Sequence, residues 1–148
     1  MKVVAQNRKA RHEYFIEETY EAGIQLKGSE IKSIRAGKVN INDAHITIKN
    51  GELFIIGMHV AAYLQSGGFN HDETRDRKLL MHKREILKLQ TRREREGYTL
   101  IPLKLYFKQA LLKVEVAVAK GKKLYDKRES IKQEEQKRRM RKLGVKWK

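Results

Sequence analysis

Cysteine is absent from the 148-residue chain, so neither a disulfide framework nor a Cys-ligated zinc site is available, and nothing speaks for an oxidising compartment. Long apolar runs are absent too. No stretch approaches the roughly 18 to 20 residues of a membrane-spanning helix, and Met1-Lys2-Val3-Val4-Ala5-Gln6-Asn7 is too short and polar for a signal peptide. The expectation is a cytoplasmic protein with no membrane partner. Proline occurs once, and together with 35% charged residues this composition fits a stable protein. No Gly-rich phosphate-binding signature and no serine nucleophile elbow occurs; Gly121-Lys122-Lys123 lacks the upstream glycine spacing of a nucleotide-binding loop.

What the chain has is positive charge. Lys and Arg number 34 against 18 Asp and Glu, a formal net charge of +16. Residues 120–148 hold 13 basic and 4 acidic side chains, and the preceding 119 residues hold 21 and 14, so arm and body are both basic. A charge excess spread over the whole chain is the footprint of a protein that tracks phosphates, whereas a short Lys-rich patch is usually only a solvated surface. The length suits one ordinary domain and is too short for two plus an arm. We divide it into a body, residues 1–123, and a basic tail, residues 124–148.

Residues 1–13, with Asn7-Arg8-Lys9-Ala10-Arg11-His12, carry few apolar side chains and read as a frayed basic lead-in. The aromatic and β-branched run from Tyr14 to Leu26 predicts a strand, bent at Gly23. A short helix follows over Glu30–Gly37, with Ser29 as cap and Gly37 as stop. Asn50-Gly51 predicts a two-residue hairpin turn that pairs Lys49 with Glu52, Ile48 with Leu53 and Ile46 with Ile55, in a hairpin running from about His45 to Val60. Ser66-Gly67-Gly68 marks a loop. A helical stripe runs through Leu79, Ile86 and Leu87 to a stop at Gly97; its start falls near His82 if Arg77–Met81 is extended. Two alternating strands then form a second hairpin through Lys108-Gln109-Ala110. The first has Thr99, Ile101, Leu103, Leu105 and Phe107 on one face, the second Leu112, Val114, Val116 and Val118, and Pro102 needs an edge or bulge. About six strands, with one helix after the second and one after the fourth, argue for an antiparallel barrel or sandwich.

Asn70-His71-Asp72-Glu73 with Asp76 is the nearest thing to a metal or acid-base cluster, but it lies in a loop without ligand geometry or a second ligand set and reads as a polar loop. His12, His45, His59 and His82 are scattered. Basic residues do recur beside stacking groups: Arg11-His12 before Tyr14-Phe15, Arg84 near His82, and Tyr125 in the arm. Rings and guanidinium planes stack on unpaired bases while cations meet phosphates, which suits folded RNA better than B-form DNA.

The blocks Asn7-Arg8-Lys9-Ala10-Arg11-His12-Glu13-Tyr14-Phe15-Ile16-Glu17-Glu18, Tyr20-Glu21-Ala22-Gly23-Ile24, Lys32-Ser33-Ile34-Arg35-Ala36-Gly37-Lys38, Arg77-Lys78-Leu79-Leu80-Met81-His82-Lys83-Arg84-Glu85, Gly97-Tyr98-Thr99 and Ala119-Lys120-Gly121-Lys122-Lys123-Leu124-Tyr125-Asp126-Lys127-Arg128 come in order over nearly the whole chain. Together they resemble the bacterial SsrA-binding protein family, small protein B. The resemblance implies an OB-like antiparallel β-barrel of about six strands with flanking helices and a basic C-terminal tail. It implies a protein without catalysis or cofactor that binds the tRNA-like part of transfer-messenger RNA (tmRNA) and, with elongation factor Tu, delivers it to stalled ribosomes for trans-translation. Carried over, the RNA grip falls on Asn7, Arg11, His12, Glu21, Arg35, Lys38, Leu80, His82, Lys120, Gly121, Lys122 and Lys123. Contacts to the ribosome's decoding region fall on Tyr125, Asp126, Lys127 and Arg128, with Met140 and Trp147 in the far tail. Gln109-Ala110 and Glu73 depart from the family pattern, away from these contacts. A general RNA chaperone or a ribosomal protein with a basic extension is the alternative, and a metal-dependent nuclease a remote third.

The arm is expected to be disordered or only partly helical until it meets the ribosome. Glu134 with Arg138 and Glu135 with Arg139 each give a helix about 0.2–0.5 kcal/mol, while ordering each residue costs about 1–2 kcal/mol. Ile131, Met140 and Leu143 are too sparse to dock it on the body. Gln133→Pro should therefore leave melting and tmRNA affinity nearly unchanged and sharply cut peptide tagging on stalled ribosomes; normal tagging by this variant sinks the idea.

Overall fold

The computed structural model describes residues 1–63 and 71–122. The predicted loop at Ser66-Gly67-Gly68 and the arm beyond Lys122 lie outside them. In chain order the elements are strand β1 (Lys2–Gln6), helix α1 (Ala10–Glu13), β2 (Tyr14–Ile24), α2 (Gly28–Arg35), β3 (Val39–Asn40), β4 (His45–Lys49), β5 (Glu52–Ile56), β6 (His59–Val60), β7 (Arg77–Leu80), α3 (Lys83–Glu96), β8 (Thr99–Lys108) and β9 (Leu111–Gly121).

The hairpin read from Asn50-Gly51 forms in the predicted register. Both residues take positive φ, 52° and 75°, and Lys49 pairs with Glu52, Ile48 with Leu53 and Ile46 with Ile55. The hairpin ends at Ile56, and His59–Val60 instead pairs with β3 in a separate two-stranded sheet. From β5 the pairing continues to β7, β2, β9 and β8, and β8 returns to β4. The result is a closed ring of six antiparallel strands with helices beside it, narrowest where Ile46 pairs with Leu100 and where Gly23 and Ile24 pair with Leu80 and Leu79. The mainly antiparallel architecture is the expected one.

The lead-in is not frayed. β1 pairs with β8 along a vacant backbone edge, and its Val4 and Ala5 pack against the main core. β4 occupies the edge of β8 at Leu100, and β1 takes residues 104–107 of it. A bulge between Pro102 and Lys104 separates the two neighbours. This is where the chain's one proline sits, at a point that needs no ladder N–H. Asn7 bonds the exposed carbonyls there, its side-chain amide donating to Pro102 O at 3.1 Å and its backbone N–H to Leu103 O at 2.8 Å.

A second irregularity falls between Ile16 and Glu18 of β2, and at Gly23 the strand meets β7 as well as β9. An inserted residue flips the side-chain alternation, and these two bulges let one sheet serve two cores. Leu53, Ile55, Leu79, Leu100, Leu105, Val114, Val116 and Val118 join Ile34 of α2 and Ile86 and Leu89 of α3 in the main core. Ile101 and Leu103, expected on the face of Leu105, pack instead with Ala117, Ala119 and Ala10 of α1, with Tyr14 and Ile16 against them. The small alanines let the short helix lie close on the strands.

α3 starts after His82, with Arg77–Leu80 extended as β7, and Gly97 ends it at φ 71°. At α2, Gly37 takes φ 76° past the helix end, but Ser29 does not cap. The helix begins two residues earlier than expected, at Gly28, where Lys27 N–H donates to Glu30 Oε1 at 2.8 Å. Ser29 instead meets His71, whose other ring nitrogen donates to Val60 O at 2.9 Å. A carbonyl only accepts, so the proton is on Nε2 and Nδ1 accepts from the Ser29 hydroxyl.

Beside this lies a fully buried ion pair. Arg77 and Glu30 are both completely excluded from solvent and bond directly, while Arg77 also donates to the carbonyls of Met58, Asp72, Glu73 and Arg75. Arg75 adds a second cation, 2.5 Å from Glu30 Oε1. Burial pushes the Glu30 carboxyl up, but the bonds from Arg75, Lys27 and Arg77 outweigh it and leave it below its ordinary value of 4.5. Removing one partner of a buried pair strands the other, at about 3–5 kcal/mol. Arg77→Met should lose that much in urea denaturation; a loss under about 1 kcal/mol overturns the assignment. A carboxyl held low in the fold stabilises it above the unfolded value and gives that up on acidification. Stability should fall as pH drops below 4.5, and Glu30→Gln should flatten that slope.

Candidate nucleic-acid interface

The pairing of β2 with β9 sets Phe15 opposite Lys120 and Tyr14 opposite Gly121. α1, directly before β2, presents Arg11 and His12 exposed in its last turn. Lys122 reaches across, donating to Arg11 O at 2.8 Å with its ammonium 5.1 Å from the Phe15 ring centroid. Lys120 lies 4.6 Å over Tyr98, which follows α3. Arg11, His12, Lys120, Gly121 and Lys122, predicted from two ends of the chain, thus form one patch with aromatic faces among the cations. Phe15, 44% exposed, belongs to it. Sequence alone left open whether this ring was core, and only the bulge in β2 decides its side of the sheet. Asn7 sits below the patch, half-buried, with its donors committed to β8 and its backbone carbonyl accepting from Ala10 N–H. It holds α1 in place.

Arg35 and Leu80 come together elsewhere, lining an open groove of about 920 Å³ with Gly23, Phe107, Leu111 and Lys113. Leu80 is 45% exposed. It crosses β2 at Gly23, where a Cβ would stand 3.4 Å from Leu80 Cβ. The Arg35 guanidinium lies 5.7 Å from the Phe107 ring centroid. Lys38 is exposed just past α2, its backbone tied to Ser33 O and to Ala61 N–H, and exposed His82 precedes α3.

Glu21, the one acid among the predicted grip residues, lies opposite Glu115 of β9. Its Oε2 accepts from the Tyr106 hydroxyl at 2.5 Å and lies 3.5 Å from Lys108 Nζ. The Tyr106 bond holds the Glu21 carboxyl below its ordinary value against desolvation, with Lys108 assisting. Burial and Glu21 push the Tyr106 phenol up in turn. The fold supplies this carboxylate with a tyrosine and a lysine from β8, which no local spacing signals.

Lys123, Tyr125, Asp126, Lys127, Arg128, Met140 and Trp147 lie outside the described residues. His71 is 5% exposed and structural, and no cluster of His, Asp and Glu suited to a metal ion occurs among the described residues.

The sequence profile of a family described as "SmpB protein" matches residues 4–146. An SsrA-binding protein of Acetivibrio thermocellus is 60% identical over 130 residues, covering 88% of this chain and 84% of the relative. Another, of Geobacillus thermodenitrificans, is 58% identical over 137 residues, covering 93% and 88%. A solved structure described as "tmRNA-SmpB: a journey to the center of the bacterial ribosome" superposes with a TM-score of 0.66 at 47% identity, over 79% of this chain and 82% of its counterpart.

If the patch binds RNA through both ring and charge, the two contributions separate. Phe15→Leu keeps an apolar support for Lys122 and loses the stacking face, and should cost about 1–3 kcal/mol of RNA affinity with the salt dependence unchanged. Lys122→Gln should lower the slope of log affinity against log salt by about 0.7–0.9, one phosphate's worth. Titrations at several salt concentrations measure both; unaltered binding by the two variants removes the patch from the interface.

Proposed function

The chain belongs to the SmpB family of SsrA-binding proteins, and from that premise we propose that it binds the tRNA-like part of tmRNA and delivers it to stalled ribosomes for trans-translation. The observation that carries this reading at residue level is the patch where Arg11, His12 and Phe15 meet Lys120 and Lys122. Cations spaced for phosphates beside a partly exposed aromatic ring are what an RNA with splayed loops requires. Arg35, Lys38, Leu80 and His82 extend the grip, and Glu21 offers an acceptor for base amino or ribose hydroxyl groups, adding specificity rather than attraction. The protein's contribution is positioning, not catalysis, and elongation factor Tu is the partner in delivery, in the cytoplasm where ribosomes work.

In this reading the body grips tmRNA and the tail, residues 124–148, enters the ribosome's decoding region, with Tyr125, Asp126, Lys127 and Arg128 at its root. RNA recovered with the protein from its host should be a single tmRNA species. A smear of RNAs supports the chaperone, and metal-dependent RNA degradation the nuclease. Removing residues 124–148 should leave much of the specific tmRNA affinity and abolish tagging; a truncated body that folds but has no specific affinity overturns the division.

A further inference from the structure

Helix α3 carries a face that neither the core nor the residues discussed so far use. Ile86 and Leu89 are buried on one side. At 100° per residue, Arg84, Leu87, Lys88, Thr91 and Arg95 fall within about a third of the circumference on the opposite side, and all are exposed. Among the described residues, none of Arg84, Lys88 and Arg95 takes part in a salt bridge or hydrogen bond. Their neighbour Arg92 is committed to Glu18 and Glu96, and Thr91 closes its hydroxyl on Leu87 O. The acids of the helix are off this ridge, Glu85 and Glu94 on its flanks and Glu96 tied to Arg92. Leu87 stands between the cations at 61% exposure.

We propose that this ridge is a second RNA surface, which grips the phosphate backbone of ribosomal RNA when the protein delivers its bound RNA. The inference rests on the reading under Proposed function. Arg84 and Lys88 are about 6 Å apart along the axis, and Arg84 and Arg95 about 16 Å, a row of cations suited to successive phosphates. The ridge has no aromatic ring to stack on a base and no Asn, Gln, Asp or Glu to read one. It can hold a regular backbone without selecting a sequence. Recognition of one particular RNA falls instead to the aromatic patch at Phe15 and the groove at Leu80, whose lining includes no α3 residue. An acidic protein is the other chemistry a basic ridge could meet, but a chain of +16 with its remaining sites built for RNA favours phosphate.

The test uses the full-length triple variant Arg84→Gln/Lys88→Gln/Arg95→Gln, whose sites are exposed and make no side-chain bonds that folding needs. Its affinity for free tmRNA should stay within twofold of the parent. Binding of its tmRNA complex to ribosomes should weaken about tenfold or more, and the slope of log affinity against log salt should fall by about 2–3, matching three lost phosphate contacts. Arg84→Lys/Arg95→Lys should retain both. Unchanged ribosome binding and slope overturns the inference, as does a loss confined to free tmRNA, which moves the ridge to that RNA. Leu87→Ala reproducing the loss with the salt slope intact also overturns it, in favour of a protein partner. A parent protein that fails to bind tmRNA overturns the functional reading itself, and this inference with it.

Discussion

The antiparallel pairing of β2 with β9 is the constraint from which the rest follows. From Tyr14 opposite Gly121 to Gly23 opposite Lys113 it joins the start of the chain to its end, closing the ring and putting α1 beside the strand that leads into the arm. Such a pairing brings together residues about a hundred positions apart, and its loop-closure entropy is offset only when the main core forms around Val114, Val116 and Val118. Fold and interface therefore share one contact set. The Lys122 bond to Arg11 and its place over Phe15 exist only while the ring is closed.

The two bulges are what make that ring useful. Without the two bulges, Ile16, Ile101 and Leu103 would share the faces of Tyr20 and Leu105, and α1 would have only the alanines of β9 to rest on. With one residue inserted in each strand, Ile16 and Ile101 face outward to meet Ala10, while Tyr20 and Leu105 face the main core. The exposed basic turn at Arg11 and His12 is held by this second, smaller core. Breaking the alternation thus creates a platform for charged side chains that could not pack by themselves.

The features legible in the sequence were those fixed by local chemistry. Asn50-Gly51 set its register because few other dipeptides favour positive φ twice, Gly97 stopped α3, and the lack of an N–H on Pro102 located a bulge. β1 and α1 were illegible because their stability is borrowed: β1 fills a backbone edge left by β4, and α1 rests on alanines from β9. The turn at Gln109-Ala110 has positive φ at both residues without any glycine, so the flanking strands dictate it. For the interface, the basic blocks were visible in the sequence and the family resemblance named the residues. Neither could show that Arg35 and Leu80 share a groove apart from Lys120, or that Glu21 answers to Tyr106 across the sheet.

Charge placement completes the account. A body with 24 basic and 14 acidic residues could spread its excess evenly, but many of the acids are held in pairs. Glu18 and Glu96 pair with Arg92, Glu52 with Lys78, Glu115 with Lys104, Asp76 with Lys49 and Glu73 with His59. Exposed pairs of this kind contribute at most about 1 kcal/mol each to stability. Their larger effect is on pattern, since every acid that neutralises a cation on a neighbouring element leaves the surplus concentrated elsewhere. That surplus collects around Arg11 and Lys122, along Arg35 and Lys38, and on the outer ridge of α3. Lys120, Lys122 and Arg35 each lie over an aromatic ring, which supports a cation without cancelling it. The field that draws a polyanion is thus shaped by where the negative charges have been spent.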